Sequence, residues 1–81
     1  RPVGFELLPE KFTLRQLQAL YEALLETELD TRNFRKKVMG MGLLRSLNER
    51  QQGVAHRPAK LYSFDHEAYA ELTQKGFNFD L

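Results

Sequence analysis

The 81-residue sequence contains no cysteine, only three prolines, and no apolar run that approaches the roughly 20 residues a membrane-spanning helix needs. Without cysteine, neither a disulfide nor a cysteine-ligated zinc site can form, and a cytoplasmic protein is expected. The chain begins Arg1-Pro2-Val3-Gly4, with neither a signal-peptide pattern nor an initiator methionine. We therefore expect an excised domain of a longer protein that has no contact with a membrane.

Motifs of catalysis are also missing. The sequence has neither the glycine-rich loop of phosphate-binding proteins nor that of dinucleotide-binding proteins. His56 and His66 lie ten residues apart and, without cysteine, give little basis for a metal cluster. Glu22, Glu26 and Glu28 lie at a predicted helix end and in the turn after it, where we expect a solvated face. We predict no metal, no cofactor and no enzymatic activity for this chain.

Basic residues are concentrated in the middle of the sequence. Residues 31–60 contain eight lysines and arginines and one acid, whereas residues 1–30 contain three basic and six acidic residues, and residues 61–81 contain one and four. The formal net charge is only +1, so the asymmetry lies in the distribution. A basic centre between acidic ends is typical of a surface that faces a polyanion. The alternative is a solvated basic face with no nucleic-acid partner.

A first helix is predicted from Thr13 to about Leu25. Thr13 and Gln16 have the spacing of a capping box, and Phe12 and Leu17 that of a hydrophobic staple. Apolar residues recur at helical spacing and are expected to face the core. They are Leu14, Leu17, Leu20 or Tyr21, and Leu24. The preceding 11 or so residues are interpreted as a linker or a truncated first helix.

A second helix follows a short connection. Asp30 or Thr31 is its predicted N-cap, and Gly40 and Gly42 end it. Its buried face has Phe34, Val38 and Met41 at helical spacing. Its outer face contains Arg32, Lys36, Met39 and Gly40.

Two strands and a last helix complete the chain. Residues 43–50 and 59–64 are predicted antiparallel strands joined by a mobile loop, 51–58. Asp65 caps a predicted helix over residues 66–75. Its predicted apolar contacts are Tyr69 and Leu72, continued by Phe77 and Phe79. This order predicts an α+β winged helix-turn-helix domain over residues 1–81, with a short three-helix core and a two-stranded antiparallel wing.

The second helix of such a motif lies in the major groove of DNA. Arginine can pair with guanine and asparagine with adenine, so we expect Arg32, Asn33 and Lys36 to contact base edges. Thr31 can bond a base or touch a thymine methyl, and Arg35 and Lys37 are expected on phosphates. The alternative is that these polar and basic side chains only solubilise the helix or interact with its dipole.

The first helix and the wing supply the remaining predicted contacts. Arg15 and Gln16, with Thr13, lie where the start of a helix can hold a phosphate, although capping already explains Thr13 and Gln16. Arg57 is predicted to enter the minor groove, with phosphate contacts nearby. These phosphate contacts are Arg50, His56 and Lys60, with an exposed loop histidine as the alternative for His56. Double-stranded DNA is the expected partner.

Three segments together resemble the C-terminal winged-helix domain of the Nudix-related transcriptional regulators, the NrtR family. They are residues 12–22, residues 29–37 and residues 57–64. Two features depart from the family: His56 replaces a frequent glycine, and residues 39–42 are unusually rich in glycine. Of the family's preceding helix, only residues 5–8 or so remain.

The resemblance implies a parent protein with an upstream Nudix domain that senses an ADP-ribose-like ligand and forms a homodimer. It further implies a bacterial repressor of NAD or sugar metabolism genes, with Asn33 to Lys37 in the recognition helix and Arg57 in the wing. An alternative is an accessory or protein-interaction winged helix of an ADP-ribose pyrophosphatase or other Nudix hydrolase. Exposed Met39 would favour a protein-interaction surface.

Overall fold

The computed structural model describes residues 5–76, so the predictions for Arg1 to Gly4 and for Phe77 and Phe79 lie outside the described residues. A single 3-10 turn, Phe5–Leu7, precedes the regular elements. These are α1 (Leu14–Leu25), α2 (Thr31–Gly40), β1 (Leu44–Arg50), β2 (Lys60–Phe64) and α3 (His66–Gln74). The order confirms the predicted winged helix-turn-helix fold.

Helix α1 begins with the predicted capping box. The backbone N–H of Gln16 donates to Thr13 Oγ1 at 3.0 Å, and the backbone N–H of Thr13 donates to Gln16 Oε1 at 2.8 Å. Leu17 and Tyr21 are buried, whereas Leu24 is 43% exposed. The prediction that Leu24 faces the core is wrong because the last turn of α1 extends beyond the packed part of the helix.

Helix α2 is capped by Asp30, whose Oδ2 atom accepts from the backbone N–H of Asn33 at 2.9 Å. The predicted buried face is confirmed, since Phe34 and Val38 are in the core and Met41 packs against it. The helix ends at Gly40, and Gly42 has a positive φ of 70° in the turn that leads to the sheet. A residue with a side chain is strained in that conformation, which explains glycine there.

The sheet is an antiparallel pair of β1 and β2 with an irregular register. Arg45 pairs with Ser63 and Arg50 with Lys60, so β1 has more residues than β2 between these pairs. Asn48, in the extra length, adopts a left-handed φ of 56°, which is typical of such an irregularity. The two strands therefore form the predicted wing, with a bulge that twists its outer half.

Two contacts in the core were not predicted from the sequence. Phe12 forms an isolated antiparallel bridge with Tyr62, with hydrogen bonds of 2.9 and 2.7 Å, and so adds a third short segment to the sheet. Phe5, in the supposed linker, is buried, and its ring centroid lies 4.4 Å from that of Phe64. Phe5 and Phe12 thus join the described segment before α1 to the hydrophobic core.

The remaining core joins all three helices to the sheet. Tyr21 is buried, and burial together with the Glu6 carboxylate raises the pKa of Tyr21 to about 12. Its hydroxyl is therefore neutral near neutral pH, which fits a packing role. Helix α3 is capped by Asp65, and Tyr69 and Leu72 pack against the core as predicted.

Candidate nucleic-acid interface

A basic cleft of about 320 Å³ lies between the start of α1, the middle of α2 and the base of the wing. Among the described residues that line it, five are basic and none is acidic. The basic residues are Arg15, Arg35, Arg50, Arg57 and Lys60. Residues separated by more than 40 positions in the sequence, such as Arg15 and Arg57, are thus brought to one surface. Clustered cations without a neutralising acid produce the positive potential that attracts phosphate groups.

Ion pairs form elsewhere on the surface. Lys11 Nζ lies 2.8 Å from Glu49 Oε1, and Arg45 Nη2 lies 3.4 Å from Asp65 Oδ1. Both pairs use basic residues outside the predicted set of DNA contacts. The basic residues in these ion pairs, Lys11 and Arg45, are therefore distinct from the basic residues that line the cleft.

The outer face of α2 continues the basic surface. All the predicted contact residues of this helix are exposed: Thr31, Arg32, Asn33, Arg35, Lys36 and Lys37. Asn33 and Lys37 line a small depression together with Asp30. Arg35 lies in the basic cleft, whereas Arg32 and Lys36 do not line it. The helix consequently presents one side to the cleft and another, with Arg32 and Lys36, to solvent.

The wing is held at its base by hydrogen bonds. Arg50 Nη1 donates to the carbonyl of Pro58 at 3.2 Å. Gln51 pairs twice with Ala59: its backbone N–H donates to the Ala59 carbonyl at 2.9 Å, and its Oε1 atom accepts from the Ala59 N–H at 3.2 Å. These bonds place Arg57 and Lys60 beside the start of α1 and the middle of α2. That the loop itself is mobile stays a prediction.

Gln16 and Thr13 are confirmed as capping residues. Gln16 Oε1 is occupied by the cap, so a phosphate contact by this exposed side chain would have to use its Nε2 group. His56 is exposed, and its Nδ1 atom lies 2.9 Å from the carbonyl oxygen of Arg57.

Sequence reasoning missed a polar network between α1 and α2. Gln18 is only 9% exposed, and its Nε2 group donates to the Leu29 carbonyl and to Thr31 Oγ1, both at 3.1 Å. Glu22 Oε2 accepts from the Leu29 N–H at 2.8 Å. The prediction of a solvated face is confirmed for Glu26 and Glu28, which are exposed, but is wrong for Glu22, which is half-buried and satisfies the backbone of the turn. The signal in the sequence for this network was Gln18, a polar residue that follows Leu17 on the buried face of α1.

The described residues provide no other obvious chemistry. Within residues 5–76, no three histidine or acidic side chains are grouped closely enough to hold a metal ion. In the same part of the chain, no helix combines the length and apolar character needed to cross a bilayer.

Comparison with protein families gives a match at residues 4–64 to the model of the NrtR DNA-binding winged helix domain. A curated relative is the ADPR responsive transcriptional repressor NtrR of Acinetobacter baylyi, which is 33% identical over 63 residues. That alignment covers 78% of this chain and 25% of the relative. The chain therefore spans about a quarter of the relative's length.

A similar fold occurs in the crystal structure of Shewanella oneidensis NrtR complexed with a 27mer DNA. The two structures superpose with a TM-score of 0.69 at 32% sequence identity. The match covers 78% of this chain and 28% of the Shewanella chain.

Proposed function

Because this chain belongs to the NrtR DNA-binding winged helix domain family, we propose that it binds duplex DNA as the recognition module of a bacterial transcriptional regulator. The observation that carries the proposal is the basic cleft, in which α1, α2 and the wing each contribute cations. Helix α2 is the segment that a winged helix-turn-helix places in the major groove. The DNA complex of the Shewanella relative supports the same use of this fold.

Within this proposal, α2 reads the bases. Arg32, Asn33 and Lys36 approach base edges, since they are exposed on α2 and their side chains can form paired or charge-assisted hydrogen bonds. Arg35 contacts a phosphate, because it lies in the cleft together with wing cations. Lys37 contacts a phosphate at the other edge of the helix.

The start of α1 and the wing contact the DNA on either side of α2. Arg15 and Gln16 contact a phosphate at the start of α1, where the helix dipole adds to the side-chain charge. Arg57 enters the minor groove and Lys60 contacts a neighbouring phosphate. The shared position of Arg15, Arg57 and Lys60 in one cleft supports a single continuous path for the DNA backbone.

For the full-length protein, we propose a cytoplasmic, homodimeric repressor of NAD or sugar metabolism genes. An upstream Nudix domain would bind an ADP-ribose-like ligand, dimerise and release the DNA. The name of the Acinetobacter relative, an ADPR responsive transcriptional repressor, supports this regulation. The winged-helix domain has no catalytic role in this scheme.

Protein interaction is the second candidate function. Met39 is 46% exposed on the outer part of α2, where an apolar side chain would suit a protein partner. The neighbouring side chains are basic, so the same surface suits DNA better.

A salt titration tests the proposal. The full-length protein is titrated against a fluorescent duplex selected from a random pool, and the affinity is measured between 50 and 300 mM salt. If Arg15, Arg35, Lys37 and Lys60 each neutralise a phosphate, the logarithm of the affinity falls with that of the salt with a slope of roughly −4 per domain. Absence of duplex binding at the lowest salt, or capture of a protein partner that resists high salt, would contradict DNA binding.

A further inference from the structure

A side chain of α1 forms hydrogen bonds to the turn before α2 and to the first residue of α2, and these bonds determine which group that DNA-facing residue can offer. Gln18 is nearly buried, with 9% of its surface exposed, and its Nε2 group has three acceptors within 3.5 Å. These are the Leu29 carbonyl and Thr31 Oγ1, both at 3.1 Å, and Glu22 Oε2 at 3.4 Å. A carbonyl and a carboxylate can only accept, so the amide group must face them with its nitrogen.

An amide nitrogen has two hydrogens, and the two shorter contacts use both. Thr31 Oγ1 therefore accepts from Gln18. A hydroxyl has one hydrogen and two lone pairs, so the Thr31 proton points away from Gln18 toward some other acceptor.

Thr31 is the first residue of α2, is exposed, and lines a depression with Arg15 and Arg35. Glu22 also lines this depression, and its Oε2 atom accepts from the Leu29 backbone N–H at 2.8 Å, but among the described residues no hydrogen bond joins it to the Thr31 hydroxyl. We therefore expect the bound duplex to supply the acceptor for the Thr31 hydroxyl.

We propose that Gln18 is a positioning residue that presents the Thr31 hydroxyl as a hydrogen-bond donor to the duplex. The inference rests on the proposed function and adds a direction to one of its contacts. The acceptor is an oxygen or nitrogen of the DNA, either a phosphate oxygen or a base acceptor in the major groove. By also holding the Leu29 carbonyl, Gln18 ties this donor to the turn that sets the start of α2.

A double-mutant cycle on the full-length protein tests the proposal. Thr31→Val removes the hydroxyl at nearly constant shape, and Thr31→Ser keeps it as the matched control. Gln18→Met removes the amide without adding charge, which avoids a second carboxylate beside Glu22. Gln18→Asn is the second variant, because it keeps an amide but withdraws it by one methylene. Thermal unfolding selects a temperature at which every variant compared is folded.

We expect Thr31→Val to weaken duplex binding by about fivefold, the scale of one hydrogen bond, and Thr31→Ser to bind like the wild type. Gln18→Met or Gln18→Asn should weaken binding to a similar extent. The variant that combines Gln18→Met with Thr31→Val should bind no worse than whichever single variant binds more weakly, because both changes remove the same directed donor. A residue that only stabilised the fold would show no such coupling.

Two duplexes identify the acceptor. If Thr31→Val lowers the affinity for the selected duplex and for a scrambled duplex by the same factor, the acceptor is a phosphate. If the affinity falls more for the selected duplex, the acceptor is a base. If the wild type binds the duplex and Thr31→Val binds it equally well, the role of Gln18 is overturned while the proposed function stands. The same follows if the losses of affinity of the two single variants multiply in the double variant. Failure of the wild type to bind either duplex would overturn the proposed function instead.

Discussion

The start of α1 and the starts of α2 and α3 satisfy their first N–H groups in different ways. Helix α1 uses a neutral capping box of Thr13 and Gln16, whereas α2 and α3 use the carboxylates of Asp30 and Asp65. A carboxylate cap offsets the positive end of the helix dipole, and a neutral cap does not. The start of α1 lines the basic cleft, so the helix with the neutral cap is the one that lies where a phosphate is proposed to bind.

The comparison indicates two different tasks for a helix start. At α3 the cap serves stability, since Asp65 also pairs with Arg45. At α2 the cap orders a helix whose side chains are proposed to contact the bases. At α1 the neutral cap adds no negative charge that would repel an anion. Substitutions that change the charge at these helix starts should therefore have different effects on the stability of the domain and on its affinity for DNA.

The largest expected effect comes from removing a cation next to the start of α1. Arg57→Ala should weaken duplex binding by about tenfold, or roughly 1.4 kcal/mol, because the proposed minor-groove contact is lost. Arg45→Ala is the matched control, because Arg45 is already paired with Asp65. Fluorescence anisotropy over a salt series measures both variants. Equal losses for the two would show that the cleft has no special role.

A smaller effect is expected from Gln16→Glu. Glutamate completes a capping box as well as glutamine does, and its charge suits the helix dipole, so the domain should become more stable by about 0.3–1 kcal/mol. The same charge would repel a phosphate, and duplex affinity should fall by about threefold to tenfold at low salt. Urea denaturation and anisotropy check the two opposite signs. A stabilised variant with unchanged affinity would contradict phosphate binding at this helix start.

Asp30→Asn should act in the reverse direction at α2. Asparagine caps a helix about as well as aspartate, so stability should change little, whereas Asp30→Ala should cost about 1 kcal/mol. Removal of the charge beside Asn33 and Lys37 should tighten duplex binding by about twofold to fivefold. Anisotropy at low salt measures the gain, which should disappear at high salt. Weaker binding by Asp30→Asn would mean that the carboxylate itself positions a DNA contact.

The smallest effect concerns the pH dependence of the α3 cap. The hydrogen bond from the Ala68 backbone N–H and the nearby Arg45 guanidinium lower the pKa of Asp65 below its usual value of 3.8. The cap therefore contributes stability above pH 4, and this contribution is lost as the pH falls through the lowered pKa. Thermal unfolding of the wild type and Asp65→Asn should differ slightly near neutral pH and converge in acid. A difference that persisted below pH 2 would contradict this assignment.

Much of the helix-turn-helix was predictable from local patterns. Capping depends on residues three positions apart, as in Thr13 with Gln16, so the sequence shows it directly. The buried face of α2 followed from the spacing of Phe34 and Val38 in the same way. The prediction failed for Leu24, because periodicity does not show how far along a helix the covering elements extend.

The candidate site was less accessible from the sequence. The basic composition of residues 31–60 indicated a polyanion-binding surface, and the structure brings Arg15 from outside that segment into the same cleft. Gln18 and Glu22 were missed, since their partners Leu29 and Thr31 lie on the far side of the turn. Direct contacts of individual side chains with DNA stay predictions.

The amino-acid sequence by itself determined the order of elements, the helix starts and stops, and the concentration of positive charge, because each depends on neighbours within about one helical turn. Only the tertiary structure decided that Phe5 belongs to the core and that Phe12 bridges Tyr62. It also decided that Gln18 holds Thr31, and that the neutral start of α1 lies in one cleft with Arg50 and Arg57 of the wing. Such contacts join residues far apart in the chain, and close packing of the whole core selects them.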